Sequence, residues 1–316
     1  MKKNRTALVL GGGGARGLAH LGVLQVLEEN RLLPDFVVGT SMGAIVGGAY
    51  CLYRNSEEMS GRVEECLTED TLRDIEKRFT ELTKKERADS LWGRFSKVYD
   101  EMHRLYLWNK SAMDQSLVDN AVIAGLINKL VGSASYKDLG LPFYAVAYDL
   151  KSLSDIVLGQ GSLATALHAS SAVPGVFEPV RRDGYVLVDG CVDQEIPAEI
   201  AYGLGADSII AVDVGGDLTD EVGVSAAEVM ARVSTARVRS LRRRSLQLAD
   251  LVVRPDVGSF HWSEFSRSHE AVNRGRRSAE ENLEQISKAL HPWRGRTWWT
   301  RWFKPSPPEI TVQGVD

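Results

Sequence analysis

The chain has 316 residues, 44% of them hydrophobic and 25% charged, which suits a soluble protein long enough to bury a sizeable core. Its 38 basic and 42 acidic residues leave a net charge of −4, which excludes a global nucleic-acid-binding character, so no nucleic-acid partner is expected. Three cysteines without paired spacing (Cys51, Cys66 and Cys191) argue against a disulfide framework and favour a cytoplasmic location.

The first apolar run follows Lys2 and Lys3 and therefore resembles the start of a signal peptide. Arg16 and His20 interrupt the run, and no small-residue cleavage site follows it, so the run is interpreted as the first strand. No apolar stretch along the chain approaches the roughly 18 residues of a membrane-spanning helix. The chain is therefore not expected to cross a membrane.

Apolar runs alternate with helical patterns along most of the chain, and no internal repeat interrupts them. The predicted strands are Thr6–Leu10, Asp35–Val38, Leu141–Ala147, Asp155–Leu158, Tyr185–Val188, Ser208–Val214 and Asp250–Val253. The predicted helices are Ala15–Asn30, Gly43–Tyr50, Ser162–Ser171, Ile196–Leu204, Ala226–Gln247 and Ala271–Leu290. This alternation predicts an α/β fold, with a mostly parallel central sheet and helices on both faces.

Residues 54–132 form a charged segment with helical patterns. Its apolar faces carry Leu105 and the aromatic residues Trp92, Phe95, Tyr99, Tyr106 and Trp108. One interpretation is a helical flank that packs with its aromatic residues and solvates its charges. The other is a cap over the active site that admits an acyl chain. The flank is favoured, because aromatic stripes usually belong to a core.

The C-terminal residues 291–316 form a tail in which aromatic and basic residues alternate without an acid until the prolines Pro305, Pro307 and Pro308. Its four tryptophans are Trp293, Trp298, Trp299 and Trp302. Indoles and arginines suit a membrane interface, so the tail is a candidate for peripheral contact at the inner face of the membrane. The alternative is that the tryptophans fold back onto the body of the protein.

A second basic stretch lies in the helix predicted over Ala226–Gln247, from Arg237 to Arg244. Such a stretch can serve a partner or a membrane. A solvated helix face is the favoured interpretation, because runs of charge usually face water.

Two short turns carry the motifs of the chain. Gly11–Gly17 is a run of glycines at the start of a helix, where backbone N–H groups stabilise negative charge. Gly39-Thr40-Ser41-Met42-Gly43 is a G-x-S-x-G motif, in which a tight strand-to-helix turn pushes the serine hydroxyl out over the sheet. The two turns predict an oxyanion hole and a nucleophile, which are two parts of an acyl hydrolase.

Gly12-x-Gly14-x-x-Gly17 also matches the dinucleotide-binding fingerprint, and Asp35 lies about 20 residues on, where a ribose-binding acid is expected. In a Rossmann unit that acid closes the second strand. Here Asp35 opens the second strand, ahead of Phe36-Val37-Val38, and the strand ends instead in the serine motif, so the dinucleotide interpretation is disfavoured.

The base for Ser41 has two kinds of candidate. His261 and His269 follow the serine in the chain order of an ordinary α/β-hydrolase, but neither closes an obvious strand. Asp189 follows the predicted strand Tyr185–Val188 directly and precedes Gly190, so its carboxylate can reach a serine on a neighbouring strand. Asp-Gly is also a common turn in which the aspartate bonds its own backbone, and the spacing alone leaves both interpretations open.

The chain resembles the patatin-like phospholipases, in the bacterial branch of that family. The resemblance rests on Gly12–Gly17, on Gly39–Gly43, on Ala169-Ser170-Ser171-Ala172-Val173-Pro174-Gly175-Val176-Phe177-Glu178-Pro179 and on Val188-Asp189-Gly190, in the family's order. It covers a domain over about residues 5–290 and implies a patatin-like, α/β-hydrolase-related three-layer architecture with a catalytic core over about 6–205.

The resemblance implies a lipid acyl hydrolase with a Ser–Asp dyad and no cofactor. Ser41 is then the nucleophile, Asp189 the proton acceptor, and the N–H groups of Gly12, Gly13 and Gly14 the oxyanion hole. Arg16 either orients the loop or meets a lipid phosphate, and the first role is favoured. The supporting motif residues are Gly17, Gly39, Gly43 and Gly190.

Two positions depart from the family pattern. Cys191 stands where the third motif usually has glycine or alanine, and Glu195 stands where a small polar residue is common. The expected activity is cleavage of phospholipid or lysophospholipid esters. The alternatives are lipid transacylation and a non-catalytic regulatory protein on the same fold.

Overall fold

The computed structural model describes residues 4–66, 120–216, 226–290 and 306–315. Most of the predicted flank, including all of its aromatic residues named above, lies outside the described residues. So do the four tryptophans of the C-terminal tail, and the structure therefore leaves both interpretations of these two segments as predictions.

One sheet organises the described chain. Its strands are β1 (Thr6–Leu10), β2 (Phe36–Thr40), β3 (Phe143–Asp149), β4 (Ser154–Gly161), β5 (Val180–Arg182), β6 (Tyr185–Asp189), β7 (Ser208–Val212), β8 (Leu251–Val253) and β9 (Val312–Val315). The order along the sheet is β5-β6-β3-β2-β1-β7-β8, and β4 pairs with both β3 and β9. The strands β3, β2, β1, β7 and β8 run parallel to their neighbours in this series. The predicted α/β fold with a mostly parallel central sheet is therefore confirmed.

The helices of the described chain surround this sheet. They are α1 (Ala19–Glu29), α2 (Met42–Tyr53), α3 (Ser56–Cys66), α4 (Asn120–Val131), α5 (Leu163–Ser170), α6 (Ala198–Gly203), α7 (Ala226–Leu246), α8 (Ser268–Glu281) and α9 (Leu283–Leu290). A 3-10 helix, Gly14–Leu18, precedes α1, so the first predicted helix begins with a tighter turn. The predicted closing helix is broken at Asn282 into α8 and α9.

Alternating side chains of the strands enter two separate apolar clusters, one on each face of the sheet. In β1, Leu8 and Leu10 join the cluster formed with α1, α2 and α5. Ala7 and Val9 join the cluster formed with α6 and the loop before β7. This period of two follows from the pleat of a strand and gives the three-layer arrangement predicted from the sequence.

The sheet continues past the predicted catalytic core over 6–205, because β7 pairs with β1 and β8 pairs with β7. The end of the chain also joins the sheet, since β9 pairs in parallel with β4. Residues 306–315 are thus part of the folded body. In the part of the chain that the structure describes, every helix is too short or too polar to cross a lipid bilayer.

Candidate active site

Ser41 lies at the junction of β2 and α2 in a strained backbone conformation. Its φ of 55° and ψ of −125° are rare for a residue with a side chain, and α2 begins at the next residue. The Ser41 N–H donates to Ser170 Oγ at 3.1 Å, and that hydroxyl donates to the carbonyl of Val146 at 2.6 Å. Ser170 therefore ties the elbow to β3, a role that the sequence motifs did not reveal.

The glycines that flank these turns are packed too tightly to accept a side chain. A Cβ on Gly43 would lie 2.2 Å from the Leu10 carbonyl oxygen, and one on Gly39 would lie 2.5 Å from the Gly43 carbonyl oxygen. Gly190 would meet the backbone of β3 in the same way, and Gly17 would meet Met42. Gly39, Gly43 and Gly190 thus bring backbone segments into contact around the elbow, and Gly17 makes room for the Met42 side chain.

Strand register brings Asp189 to the serine. β2 and β6 approach the same edge of β3 from opposite directions, because β2 is parallel and β6 antiparallel to it. Thr40 pairs with Val146, and Asp189 pairs with Ala147, which is the next residue of β3. The C-terminal ends of β2 and β6 therefore meet. Ser41, the residue after β2, lies beside Asp189, the last residue of β6.

The Asp189 carboxylate is buried and only half engaged by the backbone. Its Oδ1 accepts a hydrogen bond from the Cys191 N–H at 2.8 Å, which is the local turn that Asp-Gly pairs commonly form. Its Oδ2 is buried and has no hydrogen-bond partner with ordinary geometry in the described chain. This oxygen is therefore open to accept the Ser41 proton, and the Ser41 side chain interacts with the carboxylate, as a general base requires.

Burial raises the pKa of Asp189 above its ordinary value, because the charged form loses its hydration. Interactions with the Ser41 side chain and with the backbone and thiol of Cys191 oppose this rise. Asp189 therefore takes up a proton at a higher pH than a well-hydrated aspartate does. Burial also raises the pKa of the Cys191 thiol, so Cys191 is held neutral beside the dyad.

The glycine run differs from the prediction at one donor. The Gly12 N–H is already donated to the Glu195 carbonyl at 2.9 Å, so it is not free to bind an oxyanion. The N–H groups of Gly13 and Gly14 have no acceptor among the described residues. Of the three predicted donors, Gly13 and Gly14 therefore remain available.

Gly12 contributes instead through its missing side chain. A Cβ there would lie 2.2 Å from Cys191 Sγ and 3.3 Å from the Ser41 Cβ. Gly14 has a φ of 57° and its Cβ would lie 2.3 Å from the Trp262 carbonyl oxygen, so both space and conformation require glycine. The bare backbone of the run is thus pressed against the elbow.

His20 supports the glycine run from α1. Its Nε2 is 2.7 Å from the carbonyl oxygen of Gly11, and the ring is completely buried. Burial lowers the pKa of His20 to about 4, so the ring is neutral at physiological pH. The sequence signal was a lone histidine on an otherwise apolar helix.

Arg16 lies on the inner side of the same turn. Its Nε donates to the Gly13 carbonyl at 3.3 Å, a contact that agrees with the favoured role of orienting the loop. Nearby, Arg242 pairs with Asp213 and lies 3.9 Å from Glu195. Burial raises the pKa of Glu195, and the charge of Arg242 opposes that rise. Arg242 on α7 thus stabilises the charged form of Glu195, the residue that departs from the family pattern.

A cavity of about 540 Å³ opens over Ser41, Asp189 and the glycine run. Among the described residues, its apolar walls come from α2, α3 and α4 and from the loops after α5 and β8. The apolar lining includes Met42, Ile45, Val63, Val122, Ile123, Leu126, Ile127, Leu130, Phe177, Trp262 and Phe265. The two described helices of the predicted flank, α3 and α4, thus line the cavity.

No histidine of the described chain lines this cavity. His261, one of the two candidates, has its Nδ1 2.7 Å from Ser263 Oγ, and its neighbour Trp262 reaches the cavity instead. His269 lies on α8, away from the cavity lining. His103 and His291 lie outside the described residues. The geometry therefore favours Asp189 over both histidines that the chain order permits.

Comparisons with known proteins agree with these motifs. A protein-family model described as patatin-like phospholipase matches residues 8–202, from β1 to α6. Patatin-like phospholipase domain-containing protein 6 of Mus musculus is 32% identical over 221 residues, which cover 69% of this chain and 14% of that protein. An uncharacterized NTE family protein of Mycobacterium tuberculosis is 31% identical over 212 residues, which cover 67% of this chain and 49% of that protein. The chain thus spans less than half the length of these relatives.

Two solved structures match this chain at low identity and low TM-score. VipD from Legionella pneumophila gives a TM-score of 0.47 with 15% identity, covering 91% of this chain and 67% of that chain. Human GIVD cytosolic phospholipase A2 gives a TM-score of 0.37 with 11% identity, covering 91% and 59%. The family match carries the assignment, because it covers more than half of the sequence and includes both Ser41 and Asp189. The chain belongs to the patatin-like phospholipase family.

Proposed function

We propose that this protein is a serine acyl hydrolase that cleaves carboxylic esters of phospholipids or lysophospholipids through a Ser41–Asp189 dyad. The observation that supports the proposal most is the buried Oδ2 of Asp189, which lies at the strand end beside Ser41 in an apolar cavity and has no hydrogen-bond partner of ordinary geometry among the described residues. Its family membership agrees with this chemistry.

In the first half of the reaction, Asp189 accepts the hydroxyl proton of Ser41 as Oγ attacks the ester carbonyl. The N–H groups of Gly13 and Gly14 stabilise the negative charge on the former carbonyl oxygen. Collapse of this tetrahedral intermediate breaks the bond to the alcohol, which leaves with the proton held by Asp189. The acyl chain stays attached to Ser41 as an ester.

In the second half, water enters and Asp189 accepts one of its protons while the oxygen attacks the acyl-enzyme. The fatty acid is released, and the proton returns to Ser41. The raised pKa of Asp189 serves both halves, because a carboxylate with a higher pKa is a stronger base toward a hydroxyl. Burial thus compensates in part for the absence of a histidine.

The apolar walls supply the preference for lipids. A buried methylene contributes about 0.8 kcal/mol, so the binding free energy of an acyl chain along α2, α3 and α4 would be the sum of many such contributions. The alcohol would leave through the open end of the cavity. These features support a long-chain ester as the substrate class.

The proposal is tested with a fluorophosphonate probe and a panel of esters that differ in chain length and head group. Wild type should be labelled at Ser41 and Ser41→Ala should not. For the preferred ester, Ser41→Ala and Asp189→Asn should each lower kcat on the order of 10⁶-fold, because each removes a group that acts directly in the attack. The double variant should be no slower than Ser41→Ala, because the two residues act as a unit. Folded wild type that is neither labelled nor active would contradict the proposal and favour a non-catalytic protein.

The same assays distinguish hydrolysis from transacylation. Mass spectrometry with a lipid alcohol added shows whether the acyl group goes to water or to that alcohol. Hydrolysis predicts free fatty acid as the main product with and without the acceptor. A product that requires the acceptor would favour the transacylase alternative.

We further propose that the tail contacts the inner face of the membrane through Trp293, Trp298, Trp299 and Trp302. The support is compositional, because indoles and arginines favour the headgroup region. Since β9 belongs to the sheet, the test uses Trp→Ser substitutions and not truncation. These variants should sediment less with anionic vesicles than wild type does. Unchanged sedimentation would contradict membrane contact through the tryptophans.

A further inference from the structure

Helix α7 presents an unusual outer surface. Its 21 residues contain six arginines and a single glutamate, whereas the whole chain carries a net charge of −4. Two of these arginines point inward and fasten the helix, since Arg242 pairs with Asp213 and Arg239 donates to the Gly216 carbonyl at 2.5 Å. Among the residues whose side chains the structure describes, no carboxylate lies within ion-pair distance of the other four, Arg232, Arg237, Arg243 and Arg244.

The first half of the same helix exposes large apolar side chains. Met230 is 66% exposed, Val229 is 45% exposed and Val233 is 40% exposed. Val229, Val233 and Arg237 are four residues apart and therefore lie along one stripe of the helix. The outer surface thus begins apolar and ends basic.

This surface adjoins the opening of the cavity. Ser234 and Val238, one turn apart on α7, line the cavity, and Ser234 is exposed, so the cavity reaches solvent along this helix. Val192 is another exposed residue of the lining and adds a further apolar group to the rim. A lipid that enters here would pass directly beside α7.

We propose that α7 docks the protein on an anionic lipid bilayer, with Val229, Met230 and Val233 in the interface and Arg237, Arg243 and Arg244 on the headgroups. This inference rests on the proposed function, because such docking would place the cavity opening at the depth of the lipid ester bonds. Charge complementarity selects the occupant, because exposed arginines attract acidic headgroups while neighbouring apolar side chains enter the acyl boundary. A protein partner would not need the face to adjoin a lipid-sized apolar cavity.

The test measures binding of the full chain to vesicles of phosphatidylcholine alone and of phosphatidylcholine mixed with phosphatidylglycerol. Wild type should favour the anionic vesicles, and added salt should weaken that preference. The triple variant Arg237→Gln/Arg243→Gln/Arg244→Gln should lose about fivefold in partition per arginine, or on the order of a hundredfold together. The variant Val229→Ser/Met230→Ser/Val233→Ser should weaken binding to both kinds of vesicle.

Two matched controls make equivalent changes elsewhere on the surface. Leu150→Ser/Leu153→Ser removes exposed leucines at the β3–β4 turn, and Arg181→Gln/Arg182→Gln removes exposed arginines of β5. Both should bind as wild type does, and unfolding midpoints identify any variant that fails to fold. Controls that lose as much binding, or α7 variants that lose none, would overturn the inference. A changed oligomeric state without changed vesicle binding would overturn it too, in favour of contact between copies.

The outcome is separable from that of the proposed function. Ser41→Ala should bind vesicles as wild type does although it hydrolyses nothing. Wild type that binds through α7 but has no esterase activity would contradict the proposed function alone. Active wild type whose binding ignores α7 would contradict the docking surface alone.

Discussion

The two sides of the cavity are built in different ways. The turn region, formed by Gly11–Gly17 and Gly39–Gly43, is made of backbone segments pressed together until most glycines have no room for a Cβ. The helical wall, formed by α3 and α4, faces the cavity with ordinary apolar side chains. Its glycines, Gly61 and Gly125, have no atom within 4 Å of an added Cβ.

This contrast separates the chemistry from the choice of substrate. In the turn region the positions of Ser41, Asp189 and the glycine N–H groups follow from strand register and backbone contact, so single changes should disturb the reaction itself. In the helical wall each side chain lines the cavity independently, so single changes should alter which ester fits.

Gly12→Ala should lower kcat/KM about 10²-fold, the scale of a lost oxyanion donor, by pushing the glycine run away from the elbow. The added Cβ would lie 2.2 Å from Cys191 Sγ. The matched substitution Gly61→Ala in the helical wall should leave the rate unchanged, because that position is open. Steady-state kinetics on a short soluble ester measures both.

The clash with Cys191 offers a rescue. Cys191→Ala removes the sulfur atom while keeping the Cβ, so Gly12→Ala/Cys191→Ala should recover most of the lost rate. A double variant as slow as Gly12→Ala would show that the 3.3 Å approach to Ser41, or another effect of the methyl group, causes the loss.

His20 should make stability depend on pH. Its folded pKa of about 4 lies below the ordinary value of 6.5, so the unfolded chain takes up a proton first as the pH falls. The stabilisation is complete above pH 6.5 and is lost progressively toward pH 4, by about 3 kcal/mol in total. Denaturant unfolding across this range should show a flatter profile for His20→Gln than for wild type, with His269→Gln as the control. An identical slope in His20→Gln and wild type would mean that this ring is not buried neutral.

Local patterns in the sequence predicted most of the strands and helices. Contacts between segments that lie far apart in the chain could not be predicted from these patterns. The apolar run of β1 and the serine motif indicated a strand and an elbow directly, and both formed there. The short strands β5 and β9 escaped prediction, since three or four residues leave too little periodicity to recognise.

The candidate site shows the same limit. That Asp189 could approach Ser41 was predicted from one strand end, but the meeting of β2 and β6 at Ala147 depends on pairing with β3. The bond between the Gly12 N–H and the Glu195 carbonyl joins residues far apart in the chain, and it removed one predicted oxyanion donor. Nothing local to either residue signals that contact.

Ile123→Trp should change the substrate range of the helical wall. Ile123 lines the cavity from α4, and the larger indole would fill space that the end of a long acyl chain needs. Each buried methylene contributes about 0.8 kcal/mol, so excluding two methylenes of the acyl chain from the cavity should lower kcat/KM for long-chain esters about tenfold. Short esters should be unaffected, and Asn128→Trp, on the exposed side of α4, serves as the control. Equal losses for short and long esters would contradict the division of roles.

Cys191→Ala should move the acid limb of kcat/KM to higher pH. Asp189 accepts a proton only as a carboxylate, so the rate falls as the pH drops through its pKa. The Cys191 thiol lowers that pKa against the effect of burial, so removing the thiol should raise it. The backbone bond from residue 191 to Oδ1 remains in the variant, which isolates the effect of the sulfur. Cys191→Ser retains a donor and should shift the limb less. An acid limb that does not move in Cys191→Ala would mean that the thiol has no effect on the pKa of Asp189. An acid limb that persists in Asp189→Asn would show that another residue is the base.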